Sequence, residues 1–371
     1  MPNNFCMTIK SIILFVAGLL IAGGTYAQLK LGSLFTDNMV LQQQTQAPVW
    51  GWDKPGSAVS VTTSWNHKRY KAVAAPSGKW MVKVATPVYG GPYSISIKDD
   101  TTIKLDNVMI GEVWLCGGQS NMEMPMKGFK SQALVGSLQA IMQSKNNNIR
   151  LYTVPRSSKT ELQENSKASD WHVASPQFVA NFSATGYYFG RMLSQLLDGV
   201  PIGLINDSYS GSSIEAWMDP EVLRGFREIP IPAVTDAIKQ VSRTPTTLYN
   251  GMLYPVIGYG IKGCIWYQGE SNYDRPDQYL KLFPAMVKRW RDLWGQGDFP
   301  FYYVQIAPYD YAQLPPYNSG GKYNSAYLRD AQRKALAFIP NSGMAVLMDI
   351  GEQATIHPQH KEAAGTRLAY L

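Results

Sequence analysis

Val113-Trp114-Leu115-Cys116-Gly117-Gly118-Gln119-Ser120-Asn121-Met122 is the stretch that decides the fold. Its unbroken apolar start reads as a strand covered on both faces, as in a parallel sheet. The two glycines allow a sharp turn and a close approach of backbone to ligand. The turn presents Ser120 at the carboxyl end of the sheet, where open α/β folds bind ligands. Counting from 112–116, similar apolar runs recur at 200–205, 261–267, 300–306 and 344–348. Helical patterns lie between them. One starts at Ser183, a suitable N-cap, and stops at Gly199. Its Tyr188, Met192 and Leu196, with Phe189, Leu193 and Leu197, form an i, i+4 apolar face. Another helix is expected from Asp277 to Trp294. Alternating strands and helices predict a doubly wound parallel sheet of the α/β class over residues 109–371.

Residues 28–108 read differently. Trp80, Val82 and Val84 alternate with Met81 and Lys83, and Tyr93, Ile95 and Ile97 alternate with Ser94, Ser96 and Lys98. This period of two marks half-buried strands. Lys54-Pro55-Gly56, Pro76-Ser77-Gly78 and Gly90-Gly91-Pro92 supply turns. A small all-β sandwich domain is expected here. Ahead of it, Lys10 precedes the apolar run 12–23, and small residues follow to Ala27. That is the layout of a signal peptide over residues 1–27, and it predicts a secreted or periplasmic protein with no membrane contact after cleavage. The chain stops at Leu371, inside a helix expected to start near Lys361, so an incomplete C-terminus is expected.

Composition narrows the function. The chain is 45% hydrophobic and 16% charged, which is enough apolar side chain for a large core and argues against disorder. The net charge of +7 is spread without a run of Lys and Arg, so nucleic-acid binding is not expected. Cys116 and Cys264 each lie in an apolar run and are expected to be buried free thiols.

Serine needs a base to become a nucleophile. The four histidines are His67, His172, His357 and His360. His357 is the best placed, on a loop after the run 344–348, with Pro358 holding its backbone extended. Asp349 or Glu352 can orient the imidazole, and sequence does not choose between them. Oxyanion donors are offered by the backbone of Ser120, by Gly211 in Ser210-Gly211-Ser212, and by the amides of Gln268 or Asn272 in Trp266-Tyr267-Gln268-Gly269-Glu270-Ser271-Asn272. All four loops follow strands at one end of the predicted sheet. Other chemistries are weaker. His357 and His360 lack a third metal ligand of suitable spacing, and no dinucleotide-binding motif follows a strand. Glu112, Glu123, Glu270 and Asp349 are the carboxylates from which a glycosidase pair would have to come.

Taken together, these motifs resemble the sialate O-acetylesterase family of SGNH-type hydrolases. The resemblance rests on the string from Gly111 to Pro125 and on Trp266 to Asn272. Ile214-Glu215-Ala216-Trp217, Leu248-Tyr249-Asn250-Gly251-Met252, Asp349-Ile350-Gly351 and Ile356-His357-Pro358 add to it. It implies an SGNH/flavodoxin-like sheet and a serine carboxylesterase that removes O-acetyl groups from sugars without metal or cofactor. Ser120 would be nucleophile and His357 base. Gly211, Gln268, Glu270 and Asn272 would supply oxyanion and substrate contacts. The acid often found three residues before the histidine is here Ala354, so either Asp349 completes a triad or Ser120 and His357 act as a dyad. An acetylxylan or other glycan deacetylase, and a non-catalytic carbohydrate-binding protein, are the alternatives.

Overall fold

The computed structural model describes residues 28–311 and 325–371; the expected signal peptide lies outside them. The strands in chain order are β1 (Lys30–Leu31), β2 (Val40–Gln42), β3 (Gln46–Trp52), β4 (Ala58–Thr63), β5 (Arg69–Val73), β6 (Lys79–Ala85) and β7 (Gly90–Lys98). They continue as β8 (Thr102–Gly118), β9 (Asn146–Thr153), β10 (His172–Ala174), β11 (Ile202–Ser208), β12 (Gly263–Tyr267), β13 (Phe301–Val304) and β14 (Ser342–Ala345). The last begins two residues before the run 344–348 expected from sequence.

Two small sheets face each other in the N-terminal part. One has the order β1-β3-β6, and the other joins β5, β4, β7, the first half of β8 and β2. The period of two has its expected cause: Trp80, Val82 and Val84 are buried while Met81 and Lys83 face out. Inside the other sheet, Val59, Val61, Ile95 and Ile97 complete that core.

β8 belongs to both parts. Its first half pairs antiparallel with β7, and its second half pairs in parallel with β11 and β12. At about 3.3 Å per residue this one strand runs roughly 55 Å. The change of pattern expected at residues 108/109 therefore falls within a continuous strand rather than at a linker. An aromatic joint reinforces the connection. Phe35 packs edge-on against Trp50 at 4.7 Å, and Trp50 meets Tyr259 at 6.4 Å. Tyr259 Oη donates to Val40 O at 2.7 Å, and Trp171 Nε1 donates to Leu34 O at 2.8 Å.

The parallel sheet has the order β9-β11-β8-β12-β13-β14, with β10 antiparallel at the β9 edge. Leaving out the edge strands β9 and β10, the order is the flavodoxin-like 2-1-3-4-5, whose switch point lies between β8 and β12. Helices cover both faces. On one, the helix Ala184–Leu196 packs against the helix Lys361–Ala369 closely enough that a Cβ on Gly365 would lie 2.6 Å from Phe189 N. Ser183 caps the first of these by accepting from Gly186 N at 2.9 Å. Burial is concentrated in its first half, and Leu196 and Leu197 of the expected apolar face are exposed. On the opposite face, Trp290 of the helix Pro276–Trp294 packs edge-on against Trp266.

The parallel register also settles the cysteines. Cys264 lies opposite Leu115 and Cys116 opposite Ile265, so the two thiols project from opposite faces and stay free. One polar group in the sheet is costly. Asp207 on β11 is buried, and neither carboxylate oxygen has a hydrogen-bond partner. Burial pushes its carboxyl up from 3.8 to about 8. Between these two values the folded chain holds a proton that the unfolded chain has lost, so rising pH favours unfolding. Asp207→Asn should remove this contribution: the stability difference between variant and wild type, measured by urea denaturation, should grow in the variant's favour from pH 4 to pH 8. A difference independent of pH would contradict it.

Candidate active site

Three strand ends lie in one row. Ser208 of β11 and Tyr267 of β12 both pair with Gly118, the last residue of β8. Their loops consequently leave the sheet at the same level, on either side of the switch point. Gly118 has φ of +141°, and a Cβ there would sit 2.1 Å from Tyr267 O. No side chain fits, so glycine is required for β8 to turn this tightly against β12. Gln119 N then donates to Tyr267 O at 2.9 Å, and Ser120 opens the short helix Ser120–Glu123.

Ser120 and His357 meet although 237 residues separate them: Ser120 Oγ lies 2.8 Å from His357 Nε2. The chain reaches this point from β14, at the far edge of the sheet, before it enters the helix Lys361–Ala369. The other ring nitrogen, Nδ1, lies 2.7 Å from Gln132 Oε1. A carbonyl oxygen can only accept, so Nδ1 carries the proton and Nε2 offers its lone pair to the serine hydroxyl. The edge of Phe129 also packs on the imidazole, at 5.4 Å.

Neither Asp349 nor Glu352, the two acids the sequence offers, bonds to the His357 ring. Both oxygens of Asp349 accept from Arg367 at 2.6 Å, and the side chain is exposed. Glu352 accepts from Gln359 N at 2.8 Å. Gln132 holds the place instead. It comes from the loop just beyond Ser120, where Gly128, with φ of +80°, lets the backbone curl to 2.2 Å between a would-be Cβ and Gln132 O. A glutamine in a polar loop carries no sequence signal of this role. The remaining histidines lie elsewhere: His67 and His360 are exposed, and His172 stacks on Phe178.

The pair opens into a cavity of about 290 Å³, whose walls include Gln119, Gly211, Arg243, Glu270 and Tyr273. Gly211 thus lies at the cavity beside Ser120 and His357. Its loop is tied down by Glu123, which accepts from Ser210 N at 2.7 Å and from both Nε and Nη2 of Arg156 at 2.6 Å. Gln268 and Asn272 depart from expectation: they do not line the cavity. Gln268 Nε2 donates to Asn272 Oδ1 at 2.8 Å, and Asn272 Nδ2 donates to Glu215 Oε2 at 3.0 Å, so these amides brace the loops from behind. Gln119, a side chain that the sequence does not mark, lines the cavity instead. Its Oε1 accepts from Gly269 N at 3.3 Å and Ser271 N at 3.2 Å, which leaves its NH2 end for the cavity it lines.

Among the carboxylates considered for a glycosidase, only Glu270 lines the cavity. Glu112 pairs with Gln42 and Gln43, Glu123 with Arg156, and Asp349 with Arg367. Two carboxyl groups flanking one scissile bond are thus not assembled.

The electrostatics suit a base. His357 is pushed down from 6.5 to about 4, by burial first and by the Lys361 ammonium second. Its imidazole is neutral, and so able to accept a proton, throughout the mildly acidic and neutral range. Burial raises the Glu270 carboxyl above its ordinary value.

Comparison with known proteins agrees with this architecture. Residues 110–369 match the family described as carbohydrate esterase, sialic acid-specific acetylesterase. The sialate O-acetylesterase of Homo sapiens is 31% identical over 379 residues, covering 91% of this chain and 69% of the relative. That of Pongo abelii is 30% identical with the same coverage. A carbohydrate acetylesterase from Xanthomonas citri superposes with a TM-score of 0.82 at 35% identity, over 92% of this chain and 74% of that one. With residues 110–369 matched, well over half of its length, this chain belongs to the sialic acid-specific acetylesterase family of carbohydrate esterases.

Proposed function

We propose that the cavity hydrolyses O-acetyl esters of sugars through an acetyl-enzyme intermediate on Ser120. The observation that carries this reading is the 2.8 Å contact between Ser120 Oγ and His357 Nε2 at the cavity wall. As Ser120 Oγ attacks the acetyl carbonyl carbon, its proton passes to Nε2. The carbonyl oxygen becomes an oxyanion. Donors for it are the N–H of Ser120, left unpaired at the start of a helical turn, the N–H of Gly211, and the Gln119 amide. Collapse breaks the bond to the sugar oxygen, which takes the proton from His357. Water then loses a proton to His357 and attacks the acetyl group, releasing acetate and restoring Ser120.

Gln132 supports the base in an unusual way. Its carbonyl keeps the imidazole in the productive tautomer but supplies no negative charge to the imidazolium that forms. The catalytic unit is accordingly a Ser–His dyad with a neutral orienter. Arg243 gives the cavity wall a guanidinium, which suits a sugar bearing a carboxylate such as a sialic acid. The division into a signal peptide (1–27), a β-sandwich (28–108) and an esterase unit (109–371) is part of this proposal, as is action outside the cytoplasm. The apolar run 12–23 supports secretion. Among the described residues no helix is long and apolar enough to cross a membrane.

Ser120→Ala should lower kcat for acetate release from O-acetylated sugars by at least about 10⁴-fold. Near-wild-type turnover in that variant would eliminate the mechanism. Gln132→Ala should lower kcat by up to about 100-fold through loss of imidazole alignment, whereas Asp349→Asn should leave kcat unchanged. The opposite ranking in steady-state assays would restore Asp349 as the orienting acid. Arg243→Gln should raise KM for O-acetyl sialate about tenfold relative to its effect on an acetylated neutral sugar, the cost of one charge-assisted hydrogen bond. Equal effects on both substrates would remove Arg243 from specificity.

A further inference from the structure

Behind the reacting pair lies a buried cation that the reaction itself does not use. Lys361, the first residue of the last helix, is buried, and its Nζ donates to Pro358 O at 2.8 Å and to Asn121 Oδ1 at 2.6 Å. Asn121 follows the nucleophile directly. Its Nδ2 donates to Ile356 O at 3.0 Å and to Glu270 Oε1. Ile356 and Pro358 flank His357, so the carbonyls on both sides of the base are held by one connected network. The network ties together the loop after β8, the loop after β12 and the segment entering the last helix.

We propose that Lys361 is a positioning residue for the base: with Asn121 as relay and Glu270 as buried counter-charge, its ammonium clamps the backbone on either side of His357. The proposal rests on His357 acting as the base, as inferred above. Three physical arguments carry it. First, a buried ammonium is costly unless paired and hydrogen-bonded, and here each bond it makes ends on the nucleophile's neighbour or the base's own loop. Second, His357 arrives on a long connection from an edge strand, so its aim depends on local anchors rather than on the sheet. Gln132 holds the ring, and the Lys361–Asn121 pair holds the backbone. Third, the same ammonium disfavours a second positive charge on the neighbouring imidazole, so the base stays unprotonated. The charged groups that face Lys361 are Glu270 from the loop after β12, Glu352 from the loop before His357, and His357 itself, with the Tyr267 ring 5.9 Å away. Burial lowers the Lys361 ammonium to about 7, outweighing the two carboxylates, so it is still charged in the acid range where His357 titrates.

The test pairs NMR titration of the imidazoles, with His357 assigned by its absence in His357→Ala, and steady-state kinetics of Lys361→Met and Lys361→Gln. Lys361→Gln keeps a donor without charge and serves should the methionine variant not fold. In the wild type the His357 midpoint should lie near 4. In both variants it should rise by roughly one pH unit, and the acid limb of kcat/KM should move with it. Lys361→Met should also lower kcat by about 10- to 100-fold with KM unchanged. A wild-type midpoint at or above 6.5, or variants with an unshifted midpoint, would overturn the clamp. The midpoint is read without substrate, so the clamp can fail while Ser120→Ala still abolishes acetate release, and the two outcomes are distinguishable.

Discussion

The site depends on one steric constraint: β8 ends on glycine because the backbone of β12 leaves no room for a side chain there. With Gly118 packed against Tyr267 O, the chain must turn at once, and Ser120 emerges directly above the switch point. Everything else is arranged around that emergence. The ends of β11 and β12 share its row, so their loops form the cavity walls without long excursions. Placing the proposed nucleophile two residues beyond a strand end that is paired on both sides holds its position more firmly than a free loop would.

His357, the proposed base, presents the opposite problem. His357 follows the edge strand β14 and must travel back to the centre of the sheet. Tight aim at the end of such a segment has to be supplied by side chains. Gln132 fixes the ring, and Lys361 and Asn121 hold the flanking carbonyls. The set is electrically uneven, with a neutral partner on the far nitrogen and a cation nearby. Such surroundings stabilise the neutral imidazole, the form the proposed mechanism needs at its start, at the expense of the imidazolium it would form.

The N-terminal sandwich is joined to this machinery more rigidly than a tethered module. One strand runs through both parts, and aromatic rings from each fill the joint between them. The strand that leads to Ser120 is therefore anchored at both ends, in the sandwich core and in the parallel sheet. Bracing of this kind limits bending of β8, which would otherwise move Ser120 relative to the loop of His357.

Much of this was legible in the chain because it is local. The period of two around Trp80 and Tyr93, the apolar run before Gly117, and the Ser183 cap each express a backbone preference within a few residues. Ser120, His357 and Gly211 stood out because strand-end glycine turns and a proline-fixed histidine restrict local geometry. What a side chain touches is a different matter. Asp349 was a reasonable orienter by spacing, yet Arg367, one helix later, takes both its oxygens. Gln268 and Asn272 sit in a distinctive motif by sequence; in space their amides bond one another and Glu215. Gln132, Gln119 and Lys361 gained their roles solely from where distant segments cross. The sequence by itself determined the class of fold, the glycine turn before Ser120 and the type of chemistry, because those follow from short-range sterics, periodicity and motif. Only the tertiary structure decided which partner each polar group meets, because a buried donor or acceptor is satisfied by whatever the packing brings within about 3 Å, however far along the chain that group lies.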